Sequence, residues 1–309
     1  MAEYIYEFQD ISASEFSGVN GTNIKAIGSY FPKLKLVLRG NILKAIGDEE
    51  MLVNFEKKWD IIIHQYIKTN RIDPVKIGDI VTSDLGIESD VLKSNIIVYG
   101  HNGLVVKAHN SSQQKLVKSI FSNDMVFAIG PAGTGKTYTA VAMAVRALKN
   151  KEVAKIILTR PAVEAGENLG FLPGDLKEKL DPYLQPLYDG LRDMISPTKL
   201  KFYFENNQIQ IAPLAFMRGR TLDKAFVILD EAQNATQAQL KMFLTRMGKS
   251  AKFVITGDLT QVDLPKSQVS GLMQAKKKLS NIKGIDFIEL TGKDVMRHQL
   301  VREVIKAFA

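Results

Sequence analysis

Residues 126–137 read VFAIGPAGTGKT: a short apolar run, a glycine-rich turn, then a lysine and a threonine that open a helical pattern. The eight residues Gly130, Pro131, Ala132, Gly133, Thr134, Gly135, Lys136 and Thr137 satisfy G-x-x-x-x-G-K-[ST] in the strand–turn–helix context that the motif requires. Glycine lets backbone N–H groups turn inward around a phosphate, and the following helix N-terminus adds partial positive charge. In such a loop Lys136 reaches the β- and γ-phosphates and the Thr137 hydroxyl is a ligand for Mg²⁺. A nucleotide site is the first expectation.

Around this segment the chain alternates strand and helix. The runs VFAI (126–129), KIILT (155–159), IQIA (209–212), FVILD (226–230), KFVIT (252–256) and FIEL (287–290) have the continuous apolar character of buried parallel strands. Helical segments at 136–149 and 236–247 lie between them. The pattern predicts an α/β fold over 110–309, a P-loop NTPase sheet with helices on both faces. The 226–230 run ends in Asp230-Glu231, two carboxylates at the C-terminal edge of the sheet, where ligands of α/β proteins sit. Asp230 is expected to hold magnesium and Glu231 to polarise the attacking water. Acids capping a helix are the competing reading of that pair. A water-orienting glutamate favours hydrolysis over transfer to a small-molecule acceptor, the reaction of a P-loop kinase.

Further site residues follow from position. No N/TKxD guanine reader is present, so ATP is expected rather than GTP. Gln113, or Gln114 beside it, is a candidate for the adenine edge. TGDLTQ (256–261) closes the 252–256 strand, and Gln261 is a candidate γ-phosphate sensor; a plain turn is the alternative. Arg297, after the last strand, is a candidate to stabilise transferring charge, with Arg218 and Arg220 as rivals and a surface role as the bland reading.

Before residue 110 the order of elements differs. KLKLVL (33–38) and NILKAIG (41–47) read as strands. From Asp48 to Ile67, Leu52, Phe55, Trp59, Ile62, Ile63 and Tyr66 recur at helical spacing, and Trp59 is expected in the core. Residues 70–95, punctuated by Pro74, Gly78 and Gly86, read as a connector, and 96–107 as a hairpin around His101–Asn102. The domain boundaries expected are 1–72, a 73–109 connector with the hairpin, and 110–309.

Composition narrows the function. The 309 residues carry a formal net charge of +8. Residues 1–110 hold 12 Lys/Arg against 14 Asp/Glu, a net of −2; residues 111–309 hold 29 against 19, a net of +10. A polyanionic partner is therefore expected to meet the second region first. With no cysteine, disulfides, Cys-type zinc sites, iron–sulfur clusters and thiol nucleophiles are excluded, and four scattered histidines form no HxxxH pair. The acidic start MAEYIYEFQD does not have the form of a secretory signal, and no apolar run approaches the ~18 residues of a membrane span. A cytoplasmic protein without membrane attachment is the expectation.

GPAGTGKT (130–137), TRPAVEAGENLGFLPGDLKEKLDPYLQPLYD (159–189), MRGRTL (217–222), ILDEAQN (228–234) and TGDLTQVDLP (256–265) together resemble the PhoH-like ATPases over about 110–309. The resemblance implies a RecA-like core akin to the first motor domain of superfamily-1 helicases, ATP as ligand and a role in RNA metabolism. It sets TRPAVEAG in the place of a strand-contacting loop and TGDLTQ in that of an Asp-Gln sensor. The chain departs from the family at Val106-Lys107-Ala108, where a Pro-Lys-Thr is usual. The N-terminal region resembles half of a KH module, a small α+β domain. Its Gly18-Val19-Asn20-Gly21 loop is followed by NIKAI (23–27), and Gly18, Gly21 and Lys25 are nucleic-acid candidates.

Together these readings predict an Mg²⁺-dependent ATPase that binds or remodels single-stranded RNA. About 200 residues hold one RecA-like core where a monomeric helicase needs two, so a homo-oligomer is expected, such as a hexameric ring in which an arginine reaches a neighbour's ATP. The alternative is an ATP-switched adaptor for an RNA-processing nuclease or ribosome-associated partner, without unwinding.

Overall fold

The computed structural model describes residues 2–8, 11–69, 71–82, 95–161, 176–265, 267–296 and 300. The backbone divides into two units, Met1–Val106 with Lys149–Lys151, and Lys107–Leu148 with Glu152–Ala309.

In the first unit β1 (Ala2–Glu7) leads to α1 (Ala13–Ser17) and α2 (Thr22–Tyr30), then to β2 (Lys35–Arg39), β3 (Ile42–Gly47) and α3 (Glu49–Thr69). The three strands form an antiparallel sheet in the order β1-β3-β2. This β-α-α-β-β-α connectivity is an α+β arrangement. The helical spacing read from the sequence is borne out: Leu52, Phe55, Trp59, Ile62, Ile63 and Tyr66 are all buried. Trp59 sits in an aromatic cluster, stacked on Phe55 at 5.6 Å and edge-on to Tyr6, Phe8 and Phe16.

The segment read as a connector contains a helix, α4 (Pro74–Thr82). Its breakers are local signals put to other uses. Pro74 opens the helix, where its missing N–H costs nothing, and the Asp73 carboxylate accepts from the Lys76 amide at 2.8 Å. Gly78 is buried where a Cβ would come within 2.5 Å of the Tyr30 hydroxyl. β4 (Ile96–Tyr99) and β5 (Val105–Lys107) form the expected hairpin, closed by a 3-10 turn over His101–Gly103. Helix α4 and most of the hairpin group with the first unit.

The second unit begins with α5 (Ser111–Ser122). All six apolar runs become strands: β6 (Met125–Ile129), β7 (Lys155–Arg160), β8 (Ile209–Pro213), β9 (Ala225–Leu229), β10 (Lys252–Gly257) and β11 (Ile285–Glu289). Between them run α6 (Lys136–Lys149), α7 (Leu176–Met194), α8 (Pro197–Glu205), α9 (Gln237–Leu244) and α10 (Gly271–Leu279). The sheet is parallel, in the order β11-β6-β10-β9-β7-β8, with helices on both faces. β6, β9 and β10 are buried on both sides, which explains their uninterrupted apolar sequences. From β6 the chain crosses to β7 on one side, and from β10 it crosses to β11 on the other. The C-terminal ends of neighbouring β6 and β10 are therefore a topological switch point, where a ligand crevice opens.

Trp59 is the single tryptophan, so its fluorescence reports on the first unit alone. Phe55→Ala is expected to lower that unit's stability by about 3–5 kcal/mol, the scale of a buried Phe-to-Ala change. Denaturant unfolding followed at Trp59 measures it. A midpoint unchanged from the wild-type chain would contradict the aromatic core described.

Candidate nucleotide site

The glycine-rich turn leaves β6 at the switch point and is fixed on both sides. The Gly130 amide donates to the Gly257 carbonyl at the end of β10 (3.1 Å). On the β11 side, a Cβ on Gly130 would come within 2.4 Å of the Leu290 carbonyl oxygen. Gly133 and Gly135 adopt φ of +81° and +80°, a left-handed backbone that other residues enter at a cost. The turn runs into α6 at Lys136, and the helix N-terminus faces a cleft of about 270 Å³. Ala132, Gly133, Gly135, Lys136, Thr137 and Tyr138 line it from the turn and helix; Asp230 and Glu231 line it from the end of β9; Gly257, Asp258 and Gln261 line it from the end of β10.

Each charged group in the cleft is held by an identifiable contact. The Lys136 ammonium donates to the carbonyls of Gly130 (2.6 Å) and Pro131 (2.8 Å). Burial pushes its pKa below the usual lysine value, and Asp258, Glu231 and Asp230 pull it back up. Asp230, 4% exposed, accepts on one carboxylate oxygen from the Thr137 hydroxyl and from the Thr256 hydroxyl, both at 2.6 Å. Glu231 has φ +52°, ψ +40°; its Oε2 accepts from Gln233 Nε2 at 2.5 Å, and Arg160 Nη2 lies 3.7 Å from its Oε1. Tyr138, whose hydroxyl donates to Asp193 (3.2 Å), has its phenol pushed up to about 12 by burial and that carboxylate, so it stays a donor at neutral pH.

Gln233, given no role by the sequence, and Asp258, placed there only within an Asp-Gln sensor motif, tie these parts together. Gln233, fully buried, accepts from the Asp258 amide (2.9 Å) while donating to Glu231. Asp258 in turn accepts from the Ala132 amide of the turn (3.0 Å) and from the Thr260 amide and hydroxyl. Both lay inside quoted motifs, DEAQN and TGDLTQ. Their roles depend on strand order, which a sequence does not state.

Gln113 is placed differently from the adenine reading. It is 2% exposed beneath the turn; its Nε2 donates to the Thr134 carbonyl (2.9 Å) and contacts Met296 Sδ (3.1 Å), and its Oε1 accepts from the His109 amide (2.8 Å). Its amide thus braces the loop from below, and the absent Cβ of Gly135 makes room for it. Gln261 lines the cleft, its backbone amide bonded to the Asp258 carbonyl. Arg297 and residues 162–175, with most of TRPAVEAG, lie outside the described residues. Arg218 is exposed and Arg220 donates to Gln210 (2.6 Å); neither lines the cleft.

The described residues contain no group of three His, Asp or Glu that would make a preformed metal cage. The Thr137–Asp230 pair nonetheless fits Mg²⁺, a hard cation commonly held by one or two protein oxygens together with substrate phosphates and water.

In the first unit the Gly18–Gly21 loop joins α1 to α2. Gly18, Asn20 and Gly21 all have positive φ, Val19 is 80% exposed and Lys25 is exposed on α2. A Cβ on Gly18 would lie 2.7 Å from the Thr22 hydroxyl, whereas one on Gly21 would meet nothing within 4 Å. At Gly21 the backbone of this turn is open to close approach.

Gly130→Ala places a methyl against the Leu290 carbonyl and must displace the turn. It is expected to weaken nucleotide binding by at least about tenfold, equivalent to about 1.4 kcal/mol, while leaving Trp59 fluorescence unchanged. Titration calorimetry tests this, and wild-type affinity would contradict the described packing.

The PhoH-like protein family profile matches residues 105–309. The chain is 59% identical over 278 residues to a PhoH-like protein of Bacillus subtilis (strain 168), spanning 89% of this chain and 87% of that one. It is 45% identical over 280 residues to a PhoH-like protein of Synechocystis sp., spanning 89% and 84%. To Protein PhoH of Escherichia coli (strain K12) it is 42% identical over 206 residues, spanning 66% of this chain and 58% of that one. The phosphate-loop geometry lies inside the matched region, and the longer likenesses run through the N-terminal unit as well. The chain belongs to the PhoH-like protein family.

Proposed function

We propose that this chain is an Mg²⁺-dependent ATPase that couples hydrolysis to the binding or remodelling of single-stranded RNA. The observation that carries the reading is the convergence of Thr137 and Asp230 at 2.6 Å in a cleft that also holds Lys136 and Glu231. Lys136 would exchange its two carbonyl partners for the β- and γ-phosphates, joined by backbone N–H groups of the turn and of the first turn of α6. Thr137 and Asp230 would hold the magnesium ion, which when bound neutralises charge developing on the phosphate oxygens. Glu231 accepts the proton of the water whose oxygen attacks the γ-phosphorus as ADP departs. Gln261, which lines the cleft on its β10 side, would respond to the presence of the γ-phosphate.

RNA as the partner is supported by the +10 charge of residues 111–309 and by the open backbone at Gly21. Among the described residues the second unit holds one six-stranded sheet, and another copy of the chain would supply a second surface for the nucleotide, with Arg297 the first candidate to act in trans.

ATP turnover measured with and without single-stranded RNA tests the reading. Stimulation by RNA is expected; a rate indifferent to RNA favours an ATP-switched adaptor. Lys136→Ala should lose nucleotide binding or turnover. Glu231→Gln should keep MgATP affinity and lose about 10²–10⁴-fold in turnover, the scale of a general base; normal hydrolysis by that variant would remove Glu231 from the role. At the loop, Gly21→Asp meets open space, costs about 1–2 kcal/mol of left-handed strain and adds repulsion of phosphate. It should weaken RNA binding while RNA-free turnover stays at the wild-type rate, and undiminished RNA affinity would exclude the loop from the interface.

A further inference from the structure

The antiparallel sheet of the first unit buries one face and exposes the other. Leu43 and Ala45 of β3 belong to the unit's core, and Tyr4, Tyr6, Leu36 and Leu38 of the flanking strands pack against it. Alternation along each strand sends the intervening side chains the opposite way. The register sets their outer rows as Glu3–Ile46–Lys35 and Glu7–Ile42–Arg39, with Ile5–Lys44–Val37 between them. Six of these nine residues are exposed, among them Ile5 at 50% and Ile42 at 40%. The charges are sorted by strand: β1 presents Glu3 and Glu7, β2 presents Lys35 and Arg39, and β3 between them presents Ile42, Ile46 and one lysine. Charge on an edge strand discourages strand addition whatever its sign, so guarding the edges does not require acid on one and base on the other. Lys44 is drawn toward Glu3 at 3.7 Å, whereas Glu7, Lys35 and Arg39 make no ion pair among the described residues.

We propose that this face docks on the same face of a second copy of the chain, forming a two-fold dimer through the first units. The charge pattern selects both the occupant and the axis. A two-fold axis lying between the faces and running along β3 lays β1 of one copy over β2 of the other. Glu3 then meets Lys35 and Glu7 meets Arg39, each pair occurring twice, while Ile5 meets Val37 and the β3 isoleucines meet their own counterparts. Lys44 lies near the axis, with its charge already turned toward Glu3. An axis across the strands would set β1 on β1, acid against acid, and β2 on β2, base against base. Twisted sheets pack face to face with their strands within about 30° of each other, which an axis close to β3 permits. Three short strands give a face of roughly 15 by 20 Å, less than the ~800 Å² per partner of a standard interface. The dimer is therefore weak, dissociating in the micromolar range or above, and salt loosens it. None of the nucleotide-cleft residues takes part, so the inference stands apart from the proposed ATPase reading and from any copy that would reach the nucleotide in trans.

The test is sedimentation of the full, nucleotide-free chain over a concentration series. Four proteins are compared: wild type, Glu3→Lys/Glu7→Lys, Lys35→Glu/Arg39→Glu, and the variant carrying all four exchanges. Wild type should self-associate with a midpoint that rises with salt. Each double variant sets like charges across the axis and should raise that midpoint by at least about tenfold. An equimolar mixture of the two double variants, and the fourfold variant alone, restore opposite charges and should recover association. Because the chain has no cysteine, Ile42→Cys supplies a single thiol close to the axis. A short bis-maleimide should join two copies there, and should fail to do so at high salt or in either double-variant background. Trp59 fluorescence reports whether the variants fold; should a double variant misfold, the Ile42→Cys crosslink and its loss at high salt decide. A wild-type chain that stays at monomer mass overturns the proposal. So do double variants that associate like wild type, a mixture that fails to recover, and an Ile42→Cys chain that does not crosslink. An assembly built through the second unit alone gives that pattern, with its mass kept in the double variants and Ile42→Cys left uncrosslinked.

Discussion

A carboxylate taken out of water needs compensation, and Asp230 obtains it from two hydroxyls. Thr137, from the phosphate loop, and Thr256, from the next strand, both donate to one of its oxygens at 2.6 Å. Removing either donor leaves buried negative charge less well satisfied, a defect worth several kcal/mol in general. This small convergence is possible only because β6, β10 and β9 are consecutive in the sheet, with β9 ending opposite Ile255 so that Asp230 follows beside Thr256. The apolar sequences of those strands, their burial on both faces and the crossovers between them all set three polar strand ends side by side.

The network spreads from that point. Asp258 holds the Ala132 amide, Gln233 holds the Asp258 amide, and Glu231 is held by Gln233. The loop that faces phosphate, the glutamate beside it and the strand end that carries Gln261 are thus joined by direct hydrogen bonds. Movement at one has a short physical route to the others. Buried polar networks of this kind rigidify when every member is satisfied, which suits a site that must hold its groups in place before ligand arrives.

The legible part of the sequence was the part written in local signals. Continuous apolar runs announced all six strands of the parallel sheet to within two residues at each end. The phosphate loop was readable because its glycines answer a local backbone demand, at φ +81° for Gly133 and +80° for Gly135. Helix α3 was readable because its buried residues keep one face. What escaped reading is tertiary. Gly78 looked like a breaker, yet it is a helical glycine that makes room for Tyr30. Gln113 has the position in the chain of a base-reading residue but spends its amide on Thr134 and His109. Arg160, Gln233 and Asp258 sit in readable motifs, but their contacts cross between strands that are neighbours only after folding.

In the proposed function, Thr137 and Asp230 would form one magnesium-dependent clasp with Lys136 on a nucleoside triphosphate. The most direct measurement is ATP affinity with and without Mg²⁺ in the wild-type chain, Thr137→Ala, Asp230→Ala and the double variant. Magnesium is expected to tighten binding in the wild-type chain; each single variant should remove most of that increment, and the double variant should lose little more than either alone. An undiminished magnesium increment in Asp230→Ala would contradict that clasp.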